Sequence, residues 1–170
     1  MSLFETAKYK TLKKETKNIE LREYPTFLVA FTDTTLNNDY SNGFNNVFNY
    51  ISGGNESKEK ISMTTPVISR VSENKLTTGF VVPSKYGTVA PTPNSDSVYI
   101  QSIESGTFLV IKFKGSWSKK NFDLHDDILN AFITANSYQK TSEQFILRYQ
   151  PPLVPGIFRK NEIMYKVDHL

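Results

Sequence analysis

The chain carries two histidines, His125 and His169, and no cysteine. That narrows the chemistry its side chains can perform. Without thiols there is no disulfide, thiolate metal site, iron–sulfur cluster or cysteine nucleophile. One histidine in the body of the chain supplies no triad. There is also no Gly-x-Ser-x-Gly elbow, phosphate-cradling glycine loop or His-Glu-x-x-His motif. His125 has Asp123, Asp126 and Asp127 as neighbours and reads as a helix-start histidine making local hydrogen bonds. His169, next to the C-terminus, is expected to be disordered. The paired acids Asp126-Asp127 and Glu20/Glu23 read as solvent-facing, the alternative being a buried glutamate acting as a general base. No catalytic or metal residue is assigned, and a non-enzymatic protein is expected.

Binding chemistry is what remains. Twelve Phe and nine Tyr bring the aromatic share to 13%. A β-rich core explains this most simply, and an aromatic-lined pocket is the sharper reading. Phe80, Tyr86, Trp117 and Tyr149 are candidates to wall a flat ligand, with Phe44 and Phe48 on a helix face. Met63 either packs in the core or lines an apolar pocket with its thioether. Arg159, beside Lys160 in a Pro/Gly-bounded turn, is a candidate cation for a ligand carboxylate. Glu162 is the simpler structural partner for one of these two cations.

The elements that must position these residues show a repeat. Thr26-Phe27-Leu28-Val29 recurs as Thr107-Phe108-Leu109-Val110. At the same offset Ile19 meets Ile100, Val47 meets Ile128, Phe48 meets Leu129, Ile51 meets Phe132 and Asn55 meets Asn136. The order reads β-β-α-β-β twice, with repeats at about 17–83 and 97–167 in a single domain. Residues 6–14 form a leading strand or frayed arm. Ile19 to Tyr24 and Phe27 to Phe31 are strands. Asn37 to Asn42 starts a helix whose inward face is Phe44, Val47, Phe48 and Ile51, and Gly53-Gly54 ends it. Pro66 to Val71 and Lys75 to Val82 make a hairpin about Glu73-Asn74. Pro83 to Ser97 joins the halves. Val98 to Ile103 and Thr107 to Phe113 make a second hairpin. Ser118 caps a helix to about Asn136, with Leu124, Ile128 and Phe132 in step and Leu129 and Ile133 beside them. Phe145 to Tyr149 and Asn161 to Val167 are the closing strands. Eight mostly antiparallel strands with two outer helices predict an α+β domain with a curved sheet or distorted barrel. A duplicated fold has a cleft where its halves meet, a frequent ligand site.

Charge is nearly balanced, at 20 basic and 17 acidic residues, which speaks against nucleic acid. Lys13-Lys14 and Lys119-Lys120 read as solvated faces. No apolar stretch approaches membrane-spanning length and residues 1–12 hold no apolar signal core. A cytoplasmic protein with no membrane partner is therefore expected.

Several segments taken together carry a resemblance. They are Ile19-Glu20-Leu21-Arg22-Glu23-Tyr24, Tyr50-Ile51-Ser52-Gly53-Gly54-Asn55 and Lys60-Ile61-Ser62-Met63-Thr64-Thr65-Pro66-Val67. Phe80-Val81-Val82-Pro83, Pro91-Thr92-Pro93, Tyr149-Gln150-Pro151-Pro152 and Arg159-Lys160-Asn161-Glu162-Ile163 follow. This succession, from about residue 6 to 167, resembles the SOUL/haem-binding protein family. The resemblance implies a duplicated βαββ unit forming a distorted eight-stranded barrel flanked by two α-helices. It implies a non-enzymatic protein that binds haem or a related tetrapyrrole without a covalent link, in an apolar cleft between repeats. His125 would then be the candidate axial ligand, since haem iron takes His, Cys, Met or Tyr. The chain departs from the family pattern in two ways: no histidine precedes residue 125, and the helix from about Tyr40 to Ser52 carries no Lys or Arg. Two alternative readings are an effector-binding or sensor domain for another amphipathic small molecule, and a hydrolase of unknown substrate.

Overall fold

A computed structural model describes residues 4–36 and 43–169. The elements run β1 (Glu5–Thr6), β2 (Lys10–Lys14), β3 (Ile19–Tyr24), β4 (Phe27–Thr35) and α1 (Phe44–Ile51). Then come β5 (Thr64–Thr65), β6 (Val67–Ser72), β7 (Lys75–Val81), β8 (Tyr99–Ile103) and β9 (Gly106–Lys114). The chain closes with α2 (Lys119–Ala135), β10 (Tyr138–Lys140), β11 (Phe145–Arg148) and β12 (Lys160–His169). The expected helix start at 40–42 lies outside the described residues.

The elements form two compact units. The first holds residues 1–7 and 26–104, the second 8–25 and 105–170. Unit boundaries therefore differ from the repeat boundaries read in the sequence. In the first unit β4 pairs antiparallel with both β7 and β8, and β7 with β6. In the second, β9 lies between β3 and β12, with β2 on β3 and β11 and β10 on β12. The Phe-Leu-Val copies thus fall near the start of an inner strand in each unit, β4 and β9. The expected hairpin of residues 98–103 and 107–113 does not form, because β8 turns to β4 and β9 turns to β3 and β12. The β6–β7 hairpin forms as expected, with Glu73 at φ 47° in the turn. Within neither unit does the pairing close a sheet on itself, so the pairing does not reproduce the expected barrel. The architecture is α+β, antiparallel sheet with two helices.

Each helix turns inward a stripe that overlaps the expected one only in part. On α1, Val47, Tyr50 and Ile51 are buried, whereas Phe48 is 43% exposed. On α2, Phe122, Leu129 and Ile133 are buried, while Leu124 and Ile128 face solvent. Phe122 sets the rotation: its ring meets Phe113 of β9 edge-on at 5.8 Å, and a large aromatic dominates the apolar area available. Ser118 caps α2 by accepting from the Asn121 amide. Gly53, at φ +117°, follows α1, and a Cβ on Gly54 would stand 2.7 Å from the Asn49 carbonyl. His169 is ordered in β12, edge-on to Tyr138 at 4.9 Å, because its strand pairs to its last turn.

The rotation of α2 has a measurable consequence. Leu129→Ala should cost about 2–5 kcal/mol in a urea melt. Ile128→Ala should stay within about 0.5 kcal/mol of the parent. Equal losses would contradict the observed stripe.

Candidate functional site

In the first unit, five of the sequence-proposed residues gather at α1. Phe80, from β7, belongs to a buried cluster with Val47, Tyr50 and Ile51, and Phe44, Met63 and Tyr86 pack against that cluster half-buried. Phe44 stacks on Phe48 with centroids 6.0 Å apart and planes 17° from parallel, and meets Phe80 edge-on at 5.3 Å. The result is an apolar face with one aromatic ring, Phe48, turned to solvent. Its polar handles are occupied. Tyr86 donates to Glu59 Oε1 at 2.6 Å, and burial, reinforced by Glu59, raises the pKa of its phenol. Tyr50 donates to the Pro91 carbonyl at 2.7 Å, and burial pushes it up to about 12. Asn55, fully buried, ties down the segment after α1 through the Tyr50 and Glu59 carbonyls and the Glu59 amide.

The remaining proposed residues lie in the second unit, where they serve other ends. Trp117 donates to Asn161 Oδ1 at 3.0 Å. The guanidinium carbons of Arg159 and Arg148 sit 4.1 and 4.9 Å from its ring centroid, so cations rather than a flat ligand cover the indole. Arg159 donates from Nε to the Val154 carbonyl and from its terminal nitrogen to the Pro152 carbonyl. It does not pair with Glu162 as the spacing suggested. His125 stacks on Phe113 at 4.0 Å, 6° from parallel, with Nδ1 2.8 Å from the Asn121 carbonyl.

Sequence reasoning missed the charged interior of this unit. Along β3 side chains alternate faces, and it is Glu20, Arg22 and Tyr24 that are buried while Glu23 is exposed. Glu20 therefore corrects the expectation of a solvent-facing acid. Arg22 grips Glu162 of β12 with two parallel bonds of 2.9 and 2.8 Å. It donates from Nε to Glu20 at 2.9 Å and to the Tyr24 hydroxyl at 3.1 Å. Lys112 reaches Glu20 at 2.5 Å, and Tyr149 donates to Glu162 at 2.6 Å. Tyr9 lies over the guanidinium at 4.0 Å. Two carboxylates meet two cations, so the cluster is neutral. Burial works to raise the Glu20 carboxyl, but the bonds from Lys112 and Arg22 outweigh it and hold the group below the usual carboxylate range. Burial raises the Tyr24 and Tyr149 phenols, so both stay protonated, Tyr149 donating to Glu162 and Tyr24 accepting from Arg22. The i, i+2 spacing of Glu20 and Arg22 was the one available signal; nothing local points to Glu162.

A groove of about 440 Å³ opens beside this cluster, lined by Lys8, Tyr9, Lys10, Glu23, Tyr24, Pro25, Ser105 and the first residues of β9. None of the residues proposed from sequence lines it. Among the described residues, no group of three or more His, Cys, Asp or Glu side chains is placed to hold a metal ion.

The fold is thus two antiparallel sheet units with one helix each. The profile of the SOUL heme-binding protein family matches residues 4–166, and the chain belongs to that family. Heme-binding protein 1 of Xenopus tropicalis is 28% identical over 68% of this chain and 64% of its own length. The chain thus spans slightly less than two thirds of that relative. Among solved structures, the EcmrR C-terminal domain has a TM-score of 0.73 at 12% identity, covering 95% of this chain and 99% of its own. A structure described as a hydrolase from Listeria innocua has a TM-score of 0.63 at 11% identity, covering 91% and 94%. Such identities establish a shared fold and nothing finer.

The α1 face fits one part of haem. Its Phe44 and Phe48 rings are apolar and 17° from parallel, so the exposed Phe48 ring offers a flat stacking surface. Its side chains of iron-ligating type are weak: the Met63 thioether and the Tyr86 phenol, already bonded to Glu59.

The charged cluster yields two expectations. Arg22→Met should destabilise by about 3–5 kcal/mol, because it strands buried carboxylates; a loss under 1 kcal/mol would contradict the pairing. The depressed Glu20 pKa means its stabilisation is fully present above the unfolded value, about 4.3, and is lost as pH falls through the lower folded value. The stability gap between parent and Glu20→Gln should therefore hold at neutral pH and close on acidification below about 4. A gap independent of pH would refute the assignment.

Proposed function

We propose that this protein binds a tetrapyrrole non-covalently, by stacking it on the α1 face of the first unit. The exposed ring of Phe48, stacked on Phe44, is the observation that carries the reading, and family membership supplies the ligand class. Phe44 and Phe48 would face the macrocycle, Met63 and Tyr86 would flank it, and Phe80 would support them from the core. Haem, when bound, brings the redox and ligand chemistry of its iron. The chain's own contribution is apolar contact that excludes water from the ring. With no histidine in this unit, affinity rests on area rather than on an iron bond.

The same geometry weighs on the other two readings. A lipophilic cation is drawn to bare buried carboxylate, whereas Glu20 and Glu162 are neutralised by Arg22 and Lys112. A hydrolase needs an activated nucleophile or base, and the same two glutamates, the buried carboxylates among the described residues, are spent on ion pairs.

Titration with haemin should give a saturable Soret shift at one-to-one stoichiometry. Phe48→Asp should weaken it roughly ten- to hundredfold, the equivalent of one buried aromatic side chain. His125→Ala and the pair Lys8→Glu/Lys10→Glu should leave it unchanged. A non-saturating spectrum in the parent would overturn tetrapyrrole binding itself. Loss in the lysine pair with Phe48→Asp unaffected would move the site to the second-unit groove.

A further inference from the structure

The loop between β11 and β12 carries surface that neither the fold nor the proposed site explains. Leu153 is 94% exposed, Ile157 73% and Phe158 62%. Isolated apolar residues are ordinary on a protein surface. Three large ones on a single short loop are not. The loop does not present them by being slack. Pro151, Pro152 and Pro155 restrict its backbone. Turn bonds run from the Val154 amide to Pro151, from Phe158 to Pro155 and from Arg159 to Gly156. Arg159, packed over Trp117, grips the Val154 and Pro152 carbonyls from beneath. The apolar tips are thus pre-organised to point away from the unit.

The base of the loop is basic. Lys114 and Lys160 are direct cross-strand partners at the ends of β9 and β12, and both are exposed. Like charges so placed cost stability, offset on one side by the Tyr149 ring, whose centroid lies 4.7 Å from the Lys160 ammonium. The chain beyond Lys114 stays close: the Gly115 amide donates to the Arg159 carbonyl and Gly156 packs on Ser116. Lys119 and Lys120 then open α2, Lys119 paired with Asp123. Neither 148–161 nor 111–122 contains an acidic residue.

We propose that this loop is a membrane-surface anchor. Leu153, Ile157 and Phe158 enter the headgroup–acyl boundary of an anionic bilayer while Lys114, Lys120 and Lys160 meet its phosphates and carboxylates. An apolar tip with a cationic collar is the chemistry such a surface recognises. Insertion is shallow and one-sided, and among the described residues no helix is long and apolar enough to cross. The expectation of no membrane partner came from the lack of an apolar run, and a three-residue tip is invisible to that test. This inference is independent of the haem reading.

Flotation with vesicles of phosphatidylcholine containing about a third phosphatidylserine tests it, against phosphatidylcholine alone. The parent should bind the anionic vesicles, and added salt should weaken binding. Leu153→Asp/Phe158→Asp should reduce it roughly tenfold or more, with the thermal midpoint unchanged because both sites are solvent-exposed. Lys114→Glu/Lys160→Glu should reduce binding and remove its salt dependence. Val89→Asp, an exposed apolar position in the first unit, should have no effect. Absence of parent binding to either vesicle would overturn the proposal. So would undiminished binding by the loop variant, or equal binding to neutral vesicles. If size-exclusion shows the parent to be a dimer that Leu153→Asp/Phe158→Asp makes monomeric, and vesicles bind neither form, the loop is an interface between copies and the proposal falls.

Discussion

The interior of the second unit depends on one interaction, the two-pronged bond from Arg22 to Glu162. An arginine and a glutamate with essentially no exposure are tolerable only when each satisfies the other. Here the satisfaction extends outward, through Glu20 to Lys112 and through the phenols of Tyr24 and Tyr149. The two strands that carry the pair, β3 and β12, flank β9, so their registers on β9 must bring the charges together. A slip of one residue would turn Arg22 to the opposite face and leave Glu162 buried alone. A pair of this kind specifies arrangement more than it adds stability, since well-packed apolar residues often serve as well energetically.

The candidate ligand residues of the second unit also have protein partners. Tyr149 is needed as a donor to Glu162. Arg159 is needed by the loop carbonyls, and Trp117 is stacked with two arginines. Aromatic and cationic side chains have the same composition whether they await a ligand or serve one another. The first unit differs, because its aromatic face is built on an apolar cluster and ends on the partly exposed ring of Phe48. The aromatic face on α1 belongs to the first unit and the loop between β11 and β12 to the second. The membrane proposal uses apolar groups presented by a rigid loop, the tetrapyrrole proposal apolar groups resting on a helix.

The sequence by itself determined the local elements. The apolar strand run at 27–31, the Ser118 cap, the glycines after α1 and the Glu73-Asn74 turn act over a few residues, and all were legible. Family membership was legible too, in motifs spread along the chain. The rotation of each helix was not, because stripes such as Leu124–Ile128 and Phe122–Leu129 differ by a fraction of a turn and both are apolar. Only contact with Phe113 chose between them. Nor was the partner of β8 or β9, since hydrophobic strands pair with any compatible edge. Tertiary structure alone decided that Arg22 is buried while Leu21 is half-exposed, reversing what polarity suggests. The physical reason is distance along the chain: Glu162, the group that makes the burial of Arg22 affordable, stands 140 residues away, and no local pattern can encode it.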